Sequence, residues 1–178
     1  MNKVLIADSV SSAVSEVFDK NGIAYDTKIG LSEDELTTEI TEYSGLIVRS
    51  AVTVTEKIIN SAINLKVIGR PGVGVDNVDL KAATNNGIVV MNTPLGNVQA
   101  TAELTFGIMH SLMRKISNAN QSMHQKKWEK KKFIGNEMYG KTIGIIGFGN
   151  IGKKVSQIAH AYGMNVLVYS ASISPEDE

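Results

Sequence analysis

The sequence lacks cysteine, and its charges of opposite sign cancel. No cysteine among its 178 residues means no disulfide, no thiolate metal ligand and no cysteine nucleophile. Eighteen basic residues balance eighteen acidic ones, so no net charge favours nucleic acid or an anionic membrane. No apolar run approaches the roughly 18 residues that a membrane span requires. These absences favour a cytoplasmic globular protein of one domain or two small ones, without a metal site.

What the sequence does contain is an alternation of short apolar runs with amphipathic stretches. Amphipathic stretches predict helices, and one of them opens with a capping box formed by Ser32 and Glu35. Near-continuous apolar strands that alternate with helices favour an α/β fold with a doubly wound parallel sheet. The apolar runs rich in branched residues predict five strands: Val4–Ala7, Ile23–Tyr25, Gly45–Val48, Leu65–Gly69 and Ile88–Met91.

A longer helix is predicted from Val98 to about Ile116. Apolar residues recur every four positions along it, at Leu104, Ile108, Leu112 and Ile116, and Met109 and Met113 widen this stripe. This stripe must bury against either the body of the domain or a second subunit. A polar stretch, KKWEKKK at 126–132, follows. We therefore expect a first domain at 1–97, a linking and dimerising helical segment at 98–140, and a second α/β unit at 141–178.

The second α/β unit carries a glycine turn, GFGNIG, at 147–152. The turn follows the predicted strand Thr142–Ile146 and begins a helix that reaches about Tyr162. In such a turn the first glycine permits the tight bend, the second lets the backbone approach a pyrophosphate, and the third lets helix and strand pack closely. The helix amino terminus also offers N–H groups and positive potential to phosphates. The motif predicts a dinucleotide site, and the alternative is a turn that is merely tight.

The end of the following strand, Asn165–Tyr169, bears on the choice of dinucleotide. An Asp or Glu is expected there to hold the adenosine ribose hydroxyls, but Ser170 occupies the place. A serine makes one weaker hydrogen bond or leaves room for a 2′-phosphate. No Arg or Lys lies within 170–178 to bind such a phosphate. NAD is therefore favoured over NADP.

Five strings resemble a known family in order and spacing over nearly the whole chain. They are LIVRSA at 46–51, GRPGVGVDNVD at 69–79, NTPLGN at 92–97, TAELTF at 101–106 and GKTIGIIGFGNIG at 140–152. Together they resemble the D-isomer-specific 2-hydroxyacid dehydrogenases, most of all the members that oxidise 3-phosphoglycerate with NAD in serine biosynthesis. The resemblance implies a flavodoxin-like substrate-binding domain, the start of a Rossmann NAD-binding domain, and a homodimer through 98–140.

The resemblance also assigns site residues. Arg49 and the Gly72–Gly74 strip follow the third and fourth predicted strands, at the sheet edge where ligands bind in doubly wound folds. The planar fork of an arginine suits a carboxylate or phosphate, although Arg49 could equally be a solvated strand-end residue. Pro71 departs from the small residue usual there. The implied substrate-binding residues are Arg49, Ser50, Ala51, Arg70, Gly72, Val73, Gly74 and Asn97. The implied cofactor-binding residues are Gly147, Phe148, Gly149, Asn150, Ile151, Gly152 and Ser170.

The resemblance implies no catalytic residue in this chain. The histidine, acidic residue and further arginine that carry catalysis in the family are encoded beyond the second strand of the cofactor domain, and hence beyond residue 178. The three histidines, His110, His124 and His160, are interpreted as surface, dimer-face or helix-end residues. Two alternatives stay open: another family activity, such as a glyoxylate/hydroxypyruvate reductase or a D-lactate dehydrogenase, or a non-catalytic NAD-sensing interaction module.

Overall fold

The computed structural model describes residues 3–171, and the chain divides into two compact units between Gly96 and Asn97. The first unit alternates five strands with four helices, and a short 3-10 helix follows the second helix. In chain order these elements are β1 (Lys3–Ile6), α1 (Ser12–Lys20), β2 (Ala24–Thr27), α2 (Glu33–Glu39), the 3-10 helix (Ile40–Glu42), β3 (Gly45–Ile47), α3 (Glu56–Ser61), β4 (Val67–Arg70), α4 (Leu80–Asn85) and β5 (Val89–Asn92).

The five strands form one parallel sheet in the order β2-β1-β3-β4-β5. Ile6 lies opposite both Thr27 and Ile47, and Gly69 lies opposite both Ile47 and Met91. All the strands therefore end at the same edge. This order is that of flavodoxin-like sheets and confirms the predicted fold class. The predicted strands agree with the observed ones to within two residues.

The two faces of this sheet are covered unequally. Leu5, Leu46 and Ile68 point to a core shared with α2, α3 and α4 and are fully buried. Polar caps start these helices, and the predicted capping box of Ser32 and Glu35 is present. On the opposite face α1 leaves an apolar hollow of about 400 Å³. Its apolar lining includes Val4, Phe18, Ile23, Ile47, Val67 and Met91.

The second unit combines helices with one parallel strand pair. Strands β6 and β7 pair in parallel from Thr142 opposite Asn165 to Ile146 opposite Tyr169, with the bounds predicted from the sequence. Gly163, at φ 68°, follows the end of helix α7 (Asn150–Ala161) as a carboxyl-terminal cap. Residues 172–178 of the predicted segment lie outside the described residues. The elements are α5 (Val98–Met113), α6 (Ile116–His124), a 3-10 helix (Lys130–Phe133), β6 (Thr142–Ile146), α7 (Asn150–Ala161) and β7 (Asn165–Tyr169).

The helix predicted from Val98 to about Ile116 begins at Val98 as predicted but ends early, at Met113, and Lys115 is left-handed at φ 52°. The cause is a tertiary contact. The N–H of Asn136 donates to the carbonyl of Met113 at 2.9 Å. A Cβ on Gly135 would lie 2.4 Å from the same oxygen. The loop therefore occupies the position that another helical turn would need.

The core of the second unit takes in only the edge of the predicted stripe, at Met109 and Met113. Ala102 and Phe106 are buried against Ile145, Val155 and Ala159, with Met109 and Met113 packed at the side. The stripe of Leu104, Ile108, Leu112 and Ile116 is exposed, Leu112 by 76%. The outer face of the strand pair is exposed as well. Within residues 3–171, no helix is long and apolar enough to cross a membrane.

Candidate functional site

The loop after β3 donates backbone hydrogen bonds to a buried carboxylate. Asp8, just beyond β1, is 6% exposed. Its Oδ2 accepts the N–H groups of Arg49 and Ala51, each at 3.0 Å, and its Oδ1 accepts the N–H of Ser9 at 2.7 Å. A buried carboxylate is tolerable here because charge-assisted hydrogen bonds satisfy it. The N–H groups of Arg49 and Ala51 are thus directed to Asp8 and not towards a ligand.

The side chains of this loop remain at the surface. Arg49, Ser50 and Ala51 are all exposed at the carboxyl edge of the sheet. The Arg49 guanidinium donates from Nη1 to the carbonyl of Ser9 at 3.2 Å, which is a long bond. Arg49 and Ser50 can therefore offer side-chain donors to an anion, and the substrate-binding role that the resemblance implies for them stays a prediction.

Arg70 is placed next to this loop through Asn77. The Nε of Arg70 donates to Oδ1 of Asn77 at 2.7 Å. The side-chain amide of Asn77 in turn donates to the carbonyls of Arg49 and Val52, at 2.5 and 2.6 Å. The structure thus brings the predicted residues Arg49 and Arg70 into one hydrogen-bonded cluster. Arg70 is the less accessible of the two, with a side chain only 12% exposed.

The glycine strip after β4 packs beneath the arginine. A Cβ on Gly72 would lie 2.5 Å from Nη1 of Arg70, so a side chain at this position would displace the guanidinium from the place that it occupies. The end of β5 fixes the strip, since Thr93 donates its N–H to the carbonyl of Gly72 and Asn92 donates its side-chain amide to that of Val73. Val73 and Gly74 are exposed beyond it. The strip therefore presents backbone and one apolar side chain at the same edge as Arg49.

Asn97, also predicted as a substrate-binding residue, belongs to the second unit. It is the first residue of the second unit and the residue that precedes α5, and its side chain makes no capping hydrogen bond. Its predicted place beside the substrate loops stays a prediction.

The glycine turn of the second unit has the geometry expected of a pyrophosphate cradle. Gly147 adopts φ 93°, which favours glycine, and donates its N–H to the carbonyl of Tyr169. A Cβ on Gly152 would lie 2.2 Å from the carbonyl oxygen of Gly147, whereas one on Gly149 would meet nothing within 4 Å. The third glycine therefore serves packing, and the second leaves open space above the backbone.

The helix that follows the turn presents its N–H groups without a side-chain cap. Gly149 precedes α7, and its carbonyl accepts the N–H of Lys153. The preceding N–H groups, of Asn150, Ile151 and Gly152, have no carbonyl partner within the helix. With the helix dipole they form a site of positive potential suited to phosphate. The residues present therefore fit the diphosphate of a dinucleotide.

The remaining predicted cofactor residues flank this turn. Phe148 packs on the core of the second unit, and the ammonium of Lys153 lies 5.7 Å from the centre of its ring. Ser170 follows β7 directly, half-buried, and the parallel register of β6 and β7 places it at the same edge as Gly147. That is the position at which the dinucleotide fingerprint expects a ribose-binding residue.

The histidines form no site of their own. Nε2 of His110 lies 2.9 Å from the hydroxyl of Tyr162, whose ring stacks on Phe106. His124 and His160 lie in the last turns of α6 and α7. Among the described residues, no group of three or more His, Asp or Glu side chains is arranged to hold a metal ion.

The fold and these two sites define a class of protein. The family described as D-isomer specific 2-hydroxyacid dehydrogenase, catalytic domain, matches residues 4–173. This chain belongs to that family.

Among individual proteins, the chain is 48% identical over 176 residues to human D-3-phosphoglycerate dehydrogenase, covering 99% of the chain and 33% of that protein. It is similar to the solved structure of NAD⁺-bound 3-phosphoglycerate dehydrogenase from Entamoeba histolytica, with TM-score 0.74 and 32% identity, covering 99% of this chain and 56% of that one. The TT0316 protein of Thermus thermophilus gives TM-score 0.86 at 29% identity, covering 97% of this chain and 57% of that one. The chain thus spans about a third of the length of the curated relatives that it matches.

Two residues of the first site were not identified from the sequence. Asp8 is a charged residue directly after an apolar strand, a pattern that could have marked it. Asn77 lies inside the string GVGVDNVD, where its three hydrogen bonds could not be read because their partners are 7 to 28 residues away.

Proposed function

We propose that this chain carries the substrate-anion loop and the dinucleotide turn of an NAD-dependent dehydrogenase that oxidises 3-phosphoglycerate in serine biosynthesis. The observation that carries the proposal is the cluster of Arg49, Asn77 and Arg70 at the carboxyl edge of the first sheet. It brings two cations to an edge at which doubly wound sheets bind ligands. Similarity to D-3-phosphoglycerate dehydrogenases supports the choice of substrate.

In this proposal the first unit binds the substrate. The guanidinium of Arg49 and the hydroxyl of Ser50 bind one anionic group of the hydroxyacid, and Arg70 adds positive charge towards the same ligand. Gly72, Val73 and Gly74 line the place where the reacting carbon lies. Two charged groups on one substrate suit this arrangement, because arginine forms paired, charge-assisted bonds with carboxylate and phosphate.

The second unit binds NAD in this proposal. NAD, when bound, supplies the hydride acceptor. The N–H groups of Asn150 and Ile151 bind the diphosphate, the open space at Gly149 admits it, and Ser170 donates to the ribose. The sequence 170–178 contains no Arg or Lys for a 2′-phosphate, which favours NAD over NADP.

The exposed stripe on α5 supports a homodimer through 98–140. Leu104, Ile108 and Leu112 are all more than half exposed, and Trp128 in the same segment is 79% exposed. Ile108 and Leu112 also line an open groove with Lys115 and Phe133. A second copy of this chain is the partner that would cover such an apolar face.

The proposal is tested by binding first and turnover second. Calorimetric titration of the 178-residue chain should show binding of NADH and of 3-phosphoglycerate, with weaker binding of NADPH and of D-lactate. We expect no turnover from these 178 residues alone, since none of them is assigned a catalytic role. A version extended at the carboxyl end should be tested on a hydroxyacid panel. A preference for glyoxylate, hydroxypyruvate or D-lactate would show that 3-phosphoglycerate is not the substrate. Binding of NADH by the extended version without turnover would favour an NAD-sensing module.

A further inference from the structure

The segment from Arg49 to Val52 is held by side chains from the loops that follow two other strands. Asp8, after β1, accepts the N–H groups of Arg49 and Ala51. Asn77, after β4, donates to the carbonyls of Arg49 and Val52. Both hydrogen-bonding sides of the segment are therefore fixed by residues remote in sequence. The conformation of the loop is set before any ligand arrives.

The side-chain amide of Asn77 makes three hydrogen bonds. Both N–H groups of its amide are used by carbonyls, and its Oδ1 accepts from Nε of Arg70 at 2.7 Å. The partners fix which end of the amide is nitrogen, because a reversed amide would set a donor against Nε and an acceptor against two carbonyls. No other side chain of this length offers two donors and one acceptor in that geometry.

The orientation of Arg70 depends on this amide. Among residues 3–171, the side-chain hydrogen bond that Arg70 makes is the one to Asn77, whereas Oδ1 of Asp76 lies 3.9 Å from Nη2. The absence of a Cβ at Gly72 leaves the room that Nη1 occupies. One asparagine thus sets both the backbone that carries Arg49 and Ser50 and the direction of the Arg70 guanidinium.

We infer that Asn77 is a positioning residue that fixes the spacing between two anion-binding elements, the Arg49–Ser50 loop and the Arg70 guanidinium. The inference rests on the proposed function and adds a specificity to it. A ligand with two anionic groups, such as a phosphorylated hydroxyacid, gains from both elements at once, because neither has to be ordered on binding. A ligand with one anionic group uses one element and gains little from their spacing.

The test compares two ligands on the full chain. Asn77→Ala should weaken binding of 3-phosphoglycerate about tenfold and of inorganic phosphate by less than about twofold. Asn86→Ala is the matched control, because Asn86 also donates its side-chain amide to a carbonyl, that of Ala82 in α4, and to Asn60. It should leave both affinities unchanged. If Asn77 served stability alone, the substitution would change the affinities for the two ligands equally. The readout is therefore the ratio of the two affinities.

Coupling to Arg70 supplies a second readout. Arg70→Lys keeps the charge but removes Nε, so adding Asn77→Ala to it should cost less affinity than Asn77→Ala costs in the wild-type chain. Should Asn77→Ala fail to fold, Asn77→Ser can be used instead, because it keeps one hydroxyl donor. Its affinity for 3-phosphoglycerate should fall less than about tenfold, and again by more than its affinity for inorganic phosphate.

The outcomes separate the two proposals. Wild-type chain that binds neither ligand would overturn the proposed substrate site and the positioning role together. The wild-type chain could instead bind 3-phosphoglycerate while Asn77→Ala changes the affinities for both ligands equally or changes neither. That result would leave the proposed function standing and overturn the positioning role. The positioning role would also be overturned if the affinity losses caused by Asn77→Ala and Arg70→Lys were fully additive in the double variant.

Discussion

The carbonyl oxygen of Gly147 lies so close to Gly152 that a Cβ built on Gly152 would be 2.2 Å from it. Gly152→Ala must therefore push helix α7 away from the turn. We expect the free energy of unfolding of the second unit to fall by about 1–3 kcal/mol, as for other overpacked positions. Chemical denaturation followed by helical circular dichroism measures this. An unfolding free energy equal to that of the wild type would contradict the close packing.

Gly149 offers the opposite case, because a Cβ there meets no atom within 4 Å and its φ of −76° suits any residue. Gly149→Ala should fold normally. The added methyl group would occupy the space proposed for the diphosphate, so NADH affinity should fall about tenfold or more. Gly144→Ala in β6, also in open space, is the control and should bind NADH as the wild type does. Equal affinities of the two variants would argue against a dinucleotide at this turn.

Asp8 should be costly to remove. In Asp8→Ala the N–H groups of Ser9, Arg49 and Ala51 lose their acceptor, and leaving such groups unsatisfied costs about 1–3 kcal/mol. Asp19→Ala, at an exposed position of α1, should change the free energy of unfolding by less than about 0.5 kcal/mol. Urea denaturation of both variants tests the comparison, and similar values for the two would show that the loop does not depend on Asp8.

Tyr43 should make stability depend on alkaline pH. Its hydroxyl donates to Asp26 at 2.6 Å, and burial, reinforced by that carboxylate, raises the pKa of Tyr43 to about 12. A pKa raised in the folded state stabilises the protein below the ordinary pKa of 10.0, and this contribution is lost as pH rises from there through 12. The difference in unfolding free energy between the wild type and Tyr43→Phe should therefore shrink over that range. A constant difference would mean that Tyr43 ionises normally.

Leu112 tests the proposed homodimer. It is 76% exposed at the centre of the stripe on α5, so Leu112→Lys should not disturb the fold of one chain. The wild type should sediment at twice the mass of the chain and Leu112→Lys at the mass of one chain. Ile63→Lys, equally exposed in the first unit, should leave the mass of the wild type unchanged. A monomeric wild type would exclude the dimer proposal.

The sequence by itself determined the elements whose signals are local. The β6–turn–α7–β7 unit was predicted with its strand bounds, because an apolar run, a glycine turn and a helical repeat are contiguous in the chain. The five strands of the first sheet followed from their branched apolar runs in the same way. Arg49 and Gly72–Gly74 were predicted at the ligand edge because parallel strands all end there.

Only the tertiary structure decided the features that join distant residues. Asn136 bonds to the carbonyl of Met113 and ends α5 three residues before the helical repeat does. The core chose Ala102 and Phe106 over the Leu104–Leu112 stripe, although both lie on helical spacings. Asp8, which follows β1, and Asn77, which follows β4, fix the backbone of the Arg49 loop by hydrogen bonds. Periodicity reports what one segment can bury or bond, but the partner that it meets is chosen by the packing of the whole chain.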